Sequence, residues 1–228
     1  MTTTSRAEML PTSHTGSVPH ASLELSAPQR ARFRAAARAV GILMLGAFLT
    51  YGIGSSVALA STGDDGASAL LVAGVGSMLI NSAMVVAIGA LVFPILGRFS
   101  RPVARLYLGT RIFEGIGLGT GAVALLTLTG SAAIETNFVA YNVAMAGLGI
   151  GSLAFCALLF RSGLAPRILA VWGFVGYATF ATGCLLELAG VTGAGLVSTI
   201  PGAGFEVAFG IWLIAKGFRP VATRSARA

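Results

Sequence analysis

Charge is scarce in this chain. Asp, Glu, Lys and Arg make up only 10% of its 228 residues against 55% hydrophobic ones, and the mean hydropathy of +0.85 lies outside the range of water-soluble domains. Histidine is nearly absent. His14 and His20 both precede the first apolar stretch, so no imidazole is available there to ligate haem, copper or zinc, and no cofactor is expected. Cysteine is as rare. Cys156 and Cys184 lie within apolar stretches at depths about 18 Å apart at about 1.5 Å per residue, which excludes a disulfide and leaves two small buried hydrophobes. Within the apolar stretches a Ser or Cys with a His base, an Asp pair and a metal-ligand set are all missing, so the chain is not expected to be an enzyme. No apolar segment near Met1 resembles a cleavable signal, and GxGxxG-like glycine spacings have no strand before them.

What the chain has in abundance is long apolar stretches. Six run from about Val40 to Ala60, Ala69 to Leu96, Leu106 to Leu128, Phe138 to Phe160, Ile168 to Leu188 and Leu196 to Phe218. Each is long enough to cross about 30 Å of hydrocarbon as a helix. The expected fold is all-α, an integral membrane six-helix bundle occupying residues 36–220. It is preceded by a disordered basic tail over 1–35 and followed by a basic cytoplasmic tail over 221–228.

The basic residues then set orientation. Arg6, Arg30, Arg32, Arg34 and Arg38 precede the first stretch; Arg98, Arg101 and Arg105 follow the second. Arg161 and Arg167 follow the fourth, and Lys216, Arg219, Arg224 and Arg227 end the chain. Alternate loops at 61–68, 129–137 and 189–195 lack Lys and Arg and hold Asp64, Asp65 and Glu135. By the positive-inside rule both termini are cytoplasmic, which requires an even number of spans. Such a distribution follows topology and not a nucleic-acid surface, so no nucleic acid is expected despite a net charge of +7. From about Ser26, SAPQRARFRAAARAV reads as a short interfacial helix before the chain turns into the first span, with Arg30, Arg32, Arg34 and Arg38 meeting anionic lipid headgroups.

Small residues recur at helix-packing intervals: Gly115, Gly117, Gly119 and Gly121, Gly147 and Gly151, Gly202 and Gly210. Such spacing lets backbones approach closely in lipid, and most of these glycines are expected at helix contacts.

Four ionisable residues interrupt the apolar stretches: Arg111, Glu114, Glu187 and Glu206. Counting along each helix from its terminal basic residue puts Glu114, Glu206 and Tyr177 about 14 to 15 Å deep, near the midplane, and Arg111 one turn below Glu114. Arg111 and Glu114 share a helix face, and the arginine reaches both carboxylates if the third and sixth helices are neighbours. Glu187 is expected at the outer interface, facing water. Charge at the bilayer centre costs roughly 2.5 to 3.5 kcal/mol per residue, so Arg111, Glu114 and Glu206 must face one another inside the protein. One Arg with two carboxylates leaves a negative charge over, which predicts a proton shared between Glu114 and Glu206. The cluster reads as a proton site, as an anchor for a polar ligand, or as a clamp that fixes helix register. Matched Phe113-Glu114 and Phe205-Glu206, each in the last span of a three-span half, suggest an inverted repeat, and Pro201 either begins the sixth helix or interrupts it.

Three segments carry a resemblance. Leu108-Gly109-Thr110-Arg111-Ile112-Phe113-Glu114 resembles an LGxRxxE segment. Arg161-Ser162-Gly163-Leu164-Ala165-Pro166-Arg167 with Trp172-Gly173 resembles RSxLxPRxLxxWG, and Glu206 with Ile211-Trp212-Leu213-Ile214-Ala215-Lys216-Gly217-Phe218 resembles a final E…xWLIxKGF, Ala215 standing where a Val is expected. Together, over Ala36 to Pro220, they resemble the bacterial membrane family called domain of unknown function 4386. The resemblance implies a multi-pass bundle and draws attention to Arg111, Glu114 and Glu206 without supplying a reaction. Ala, Gly and Arg richness with a single Lys points to a bacterium and hence to its inner membrane. Three classes of function stay open: binding or moving a small solute or proton, an accessory or regulatory bundle with a protein partner, and an intramembrane acid-base enzyme.

Overall fold

The computed structural model describes residues 27–62 and 68–219. Over these the chain forms six helices: α1 (Ala27–Ala60), α2 (Ala69–Leu96), α3 (Arg101–Thr127), α4 (Gly130–Ser162), α5 (Arg167–Leu188) and α6 (Ala194–Ala215). The tail before residue 27, the acidic pair Asp64 and Asp65, and the basic end beyond residue 219 lie outside the described residues.

All helices except α3 are long and apolar enough to cross a membrane, giving five by length and composition. α3 falls short because Arg111 and Glu114 lower its hydropathy. The outer surface carries large apolar side chains all round, among them Ile42, Ile80, Ile116, Ile150, Ile168 and Ile200. Asn81, Arg111, Glu114, Asn142 and Ser152 are buried inside. Polar inside and apolar outside is the arrangement of a membrane bundle, because a lipid-facing polar group has no hydrogen-bond partner there.

Each helix packs along its chain neighbours, and α6 packs back on α1, so the six close into a ring in chain order. Ser68 and Ser100 accept hydrogen bonds from Leu71 N and Val103 N, starting α2 and α3 with capped ends. Gly163 at φ 70° stops α4 in the left-handed conformation that costs glycine nothing, and α5 begins four residues later, after Pro166. Short connections make neighbours antiparallel.

Two expectations change. Residues 27–35, expected in the tail or in a separate surface helix, are the first turns of an uninterrupted α1. Phe33, Ala36, Ala37 and Val40 face inward at helical spacing while Arg30, Arg32, Arg34 and Arg38 are exposed, so the amphipathic stretch packs on the bundle instead of turning away from it. At 34 residues α1 is about 51 Å long, well beyond the hydrocarbon thickness. Of the two positions open to Pro201, the structure has it inside α6.

The inverted repeat does not hold either. A two-fold axis in the membrane plane turns a ring over and reverses the sense in which the chain travels round it. Here α4 to α6 continue in the sense of α1 to α3, so no rotation superposes the halves in chain order. The matched phenylalanines differ accordingly, Phe113 being 47% exposed on the perimeter and Phe205 fully buried.

Backbone contact between helices rests on small residues. A Cβ on Gly74 would stand 2.7 Å from Ala58 N and 2.8 Å from Gly54 O, and one on Gly176 would stand 3.0 Å from Gly202 Cα. Within α3, Gly115 faces α2 at Ser82, whereas Gly117 and Gly121 face α4 at Ala144 and Asn137, so one glycine-rich helix fits between two neighbours. Gly76, two residues beyond Gly74, has open space above it. Gly74→Ala is therefore expected to lower the unfolding temperature in detergent, at a cost of about 1–3 kcal/mol from the displaced backbone. Gly76→Ala, with the same gain in helix propensity, is expected to leave it unchanged or raise it by up to about 1 kcal/mol. Equal behaviour of the two would contradict the α1 to α2 contact.

Candidate functional site

The ring places α3 and α6 on opposite sides, not side by side as the sequence reading required. Their side chains meet nonetheless. Arg111 Nη1 donates to Glu114 Oε2 at 2.9 Å one turn along α3, and Nη2 lies 3.5 Å from Glu206 Oε1 on α6. An arginine can make this span because its stem is long and its planar fork presents several donors at once. Small residues make the space for it: Gly89 on α2 packs against the Arg111 stem, and Gly151 on α4 against Thr110.

Two tyrosines complete the network. Tyr177 on α5 donates its hydroxyl to Glu206 Oε1 at 2.5 Å. Tyr107, four residues before Arg111 on α3, accepts from Arg111 Nε at 3.1 Å. Arg111, Glu114, Tyr107 and Tyr177 are all buried, and the Glu206 side chain keeps 17% exposure. Sequence reasoning had named Arg111, Glu114, Glu206 and Tyr177, and the structure brings all four together. It missed Tyr107, whose signal was the four-residue spacing from Arg111 on one helix face.

An aromatic layer lies against the cluster. Tyr107 stacks on Phe155 with ring centroids 4.4 Å apart, Phe155 meets Phe209, Phe209 stacks on Phe205, and Phe205 meets Tyr177 edge-on. This chain of rings joins the two tyrosines by a second route through α4 and α6, fixing their hydroxyl positions.

Not every polar group here is satisfied. Arg111 Nη2 is close enough to Glu206 for an ion pair yet makes no hydrogen bond, and Ser152 Oγ and Asn81 Oδ1 are likewise buried without a partner. Each such atom costs roughly 1–3 kcal/mol, so a group able to accept from Nη2 would bind there favourably.

Glu187 is not a freely hydrated acid. It is half-buried, and its carboxylate accepts from Gly193 N at 3.1 Å and from Gly195 N at 2.8 Å. The residue before α6 is Gly193, at φ 86°, which has no side chain to cap the helix. Glu187 supplies that cap from the end of α5, a contribution of about 1 kcal/mol with help from the helix dipole. It stands outside the Arg111 cluster.

Among the described residues no three His, Cys, Asp or Glu side chains are placed to hold a metal, and Cys156 and Cys184 are buried free thiols. The chemistry available at the cluster is proton exchange between carboxylates and hydroxyls, and recognition of a small polar group by a guanidinium.

The family described as Domain of unknown function (DUF4386) matches residues 39–217. The chain belongs to this family. The match takes in all of α2 to α6 and the apolar part of α1, and so the whole Arg111 cluster. No curated protein matches the chain, and no solved structure does.

If Arg111 neutralises two carboxylates in a dry core, removing one partner should be worse than removing all. Arg111→Met is expected to cost about 3–5 kcal/mol by thermal unfolding in detergent, and Arg111→Met with Glu114→Gln and Glu206→Gln to regain most of it. A triple variant no more stable than the Arg111 variant would mean that the three charges do not act as one unit.

Proposed function

We propose that the protein is a six-span bacterial inner-membrane protein with both termini in the cytoplasm, and that its Arg111 cluster binds a proton or a small polar solute. On this reading it is not an enzyme.

The single observation that carries the binding reading is the charge count at the centre. One guanidinium is shared by Glu114 and Glu206, and a tyrosine hydroxyl donates to the second carboxylate at 2.5 Å. One guanidinium against two carboxylates leaves one negative charge in a low-dielectric interior, which favours the uptake of one proton. Tyr177 donates to Glu206 Oε1, and the N–H of Arg111 Nη2 that meets no acceptor is open to an oxygen acceptor brought by a solute.

The sixth span and the orientation have their own support. α3 has 27 residues, about 40 Å of helix, and its two mid-helix charged side chains, Arg111 and Glu114, turn inward and not outward into lipid. Arg30, Arg32, Arg34, Arg38, Arg98, Arg101, Arg105, Arg161, Arg167, Lys216 and Arg219 all fall at one end of the ring, while Glu135 and Glu187 fall at the other. Under the positive-inside rule the first end is cytoplasmic. Because Cys156 and Cys184 are buried, single added cysteines can be read directly: in intact cells Ala132→Cys is expected to react with a membrane-impermeant maleimide, and Phe99→Cys only after permeabilisation. The reverse pattern would invert the topology, and labelling of both in intact cells would break the even span count.

A second reading, an accessory bundle packed on a partner, draws on Gly52, Gly76 and Gly109, whose outer faces stay open after the ring has closed. The two readings part on a pair of measurements. In proteoliposomes with an imposed pH gradient, the proton reading expects flux above protein-free vesicles, together with an infrared carboxylic-acid band near neutral pH. Both should be lost in Glu206→Gln. Silence in both measurements, with the variant still folded, would leave the accessory reading.

A further inference from the structure

At the basic end, where α2 passes into α3, the structure holds a cavity of about 360 Å³ lined by Phe93, Pro94, Gly97, Arg98, Arg101 and Arg105. We infer that this cavity is a specific binding site for the phosphate headgroup of an anionic phospholipid. The inference rests on the reading of the protein as membrane-embedded, and not on the proton reading of its core.

Three features point to this ligand. First, the lining is of two kinds: three arginines, and Phe93 and Pro94, which are exposed on the apolar perimeter of α2. A phospholipid has the matching halves, an anionic phosphate and the glycerol and acyl carbons next to it, whereas a free phosphate has nothing for the apolar wall. Second, the positive charge is uncompensated among the described residues. Among the described residues the salt bridges are those of Arg111, so Arg101 and Arg105 face no carboxylate, and Arg98 is turned over the ring of Phe33 at 4.4 Å. That stacking fixes one side of the cavity to α1 and leaves the guanidinium its hydrogen-bonding edge. Third, arginine suits the role because its planar fork matches phosphate oxygens in pairs. Basic pockets at the cytoplasmic ends of membrane helices recognise anionic headgroups on this principle.

Arg161 and Arg167 provide an internal control. They lie at the same end of the ring, on the α4 to α5 corner, and Arg167 lies over Phe160 at 5.5 Å. If these arginines only serve as diffuse positive charge, the two pairs are interchangeable.

The test measures binding of phosphatidylglycerol to the detergent-purified full chain, by native mass spectrometry and by the rise in unfolding temperature on lipid addition. Arg101→Gln with Arg105→Gln is expected to weaken binding roughly thirtyfold, and Arg161→Gln with Arg167→Gln by no more than about threefold. Phosphatidylcholine and soluble glycerol phosphate are expected to bind neither variant nor wild type measurably. Equal losses from the two double variants would overturn the site in favour of diffuse attraction, as would tight binding of glycerol phosphate alone. Unchanged unfolding temperatures without lipid show that either variant is folded, so a misfolded protein cannot imitate the result.

Discussion

A guanidinium held where water cannot reach it is the constraint on which this structure turns. Arg111 is always charged, and its burial among apolar helices is tolerable only if oxygen atoms are brought to it. Glu114 and Tyr107 come from its own helix at spacings of three and four, so α3 alone satisfies two of the guanidinium nitrogens. The third nitrogen faces Glu206 across the ring. The contact between opposite helices is therefore electrostatic and sits at the end of a long side chain. The contacts between adjacent helices are backbone on backbone, permitted by glycine. The two kinds respond to different changes: a methyl group disrupts the second, a proton the first.

Closing six antiparallel helices in chain order also decides what symmetry is available. Matched residues in two halves of a sequence suggest repetition, but a ring that keeps one sense of travel cannot be made from two halves related by an in-plane axis. Phe113 and Phe205 illustrate the point, one on the lipid-facing surface and the other in the aromatic layer that joins Tyr107 to Tyr177. The centre is asymmetric in charge for the same reason, with Glu114 paired within its own helix and Glu206 paired between helices.

Depth was legible in the sequence and direction was not. A helix advances a fixed distance per residue, so counting from Arg105, Lys216 and Arg167 was enough to bring Glu114, Glu206 and Tyr177 to one level. Which side of each helix looks inward was hidden, because in a chain this apolar the lipid-facing and core-facing positions carry the same residue types, and the charges alone mark the interior. Tyr107 was missed because tyrosine is unremarked in an apolar run unless its arginine partner is already fixed. Glu187 was placed on water because depth counting sees only the helix it belongs to, not the chain folding back to offer the N–H groups of Gly193 and Gly195. The continuity of α1 was hidden by composition: arginines mark a boundary for lipid, yet arginine is a good helix former and the backbone does not stop where the lipid does.

The attachments of α6 are unequal, and this gives the central cluster a direction. α5 holds α6 at three levels: Glu187 caps its first turn, Trp172 Nε1 donates to the carbonyl of Pro201 at 3.0 Å, and Tyr177 donates to Glu206. Pro201 cannot donate its own nitrogen to the helix, and Gly176 lies against this same Pro201-Gly202 step, so α5 packs where α6 lacks a backbone donor. Toward α3, by contrast, the ion pair of Glu206 with Arg111 carries the link. A tyrosine hydroxyl serves a carboxylate as donor and a carboxylic acid as donor or acceptor, whereas a guanidinium attracts only the ionised form strongly. Loss of the charge at Glu206, as in Glu206→Gln, therefore weakens the bond to α3 and spares the bond to α5.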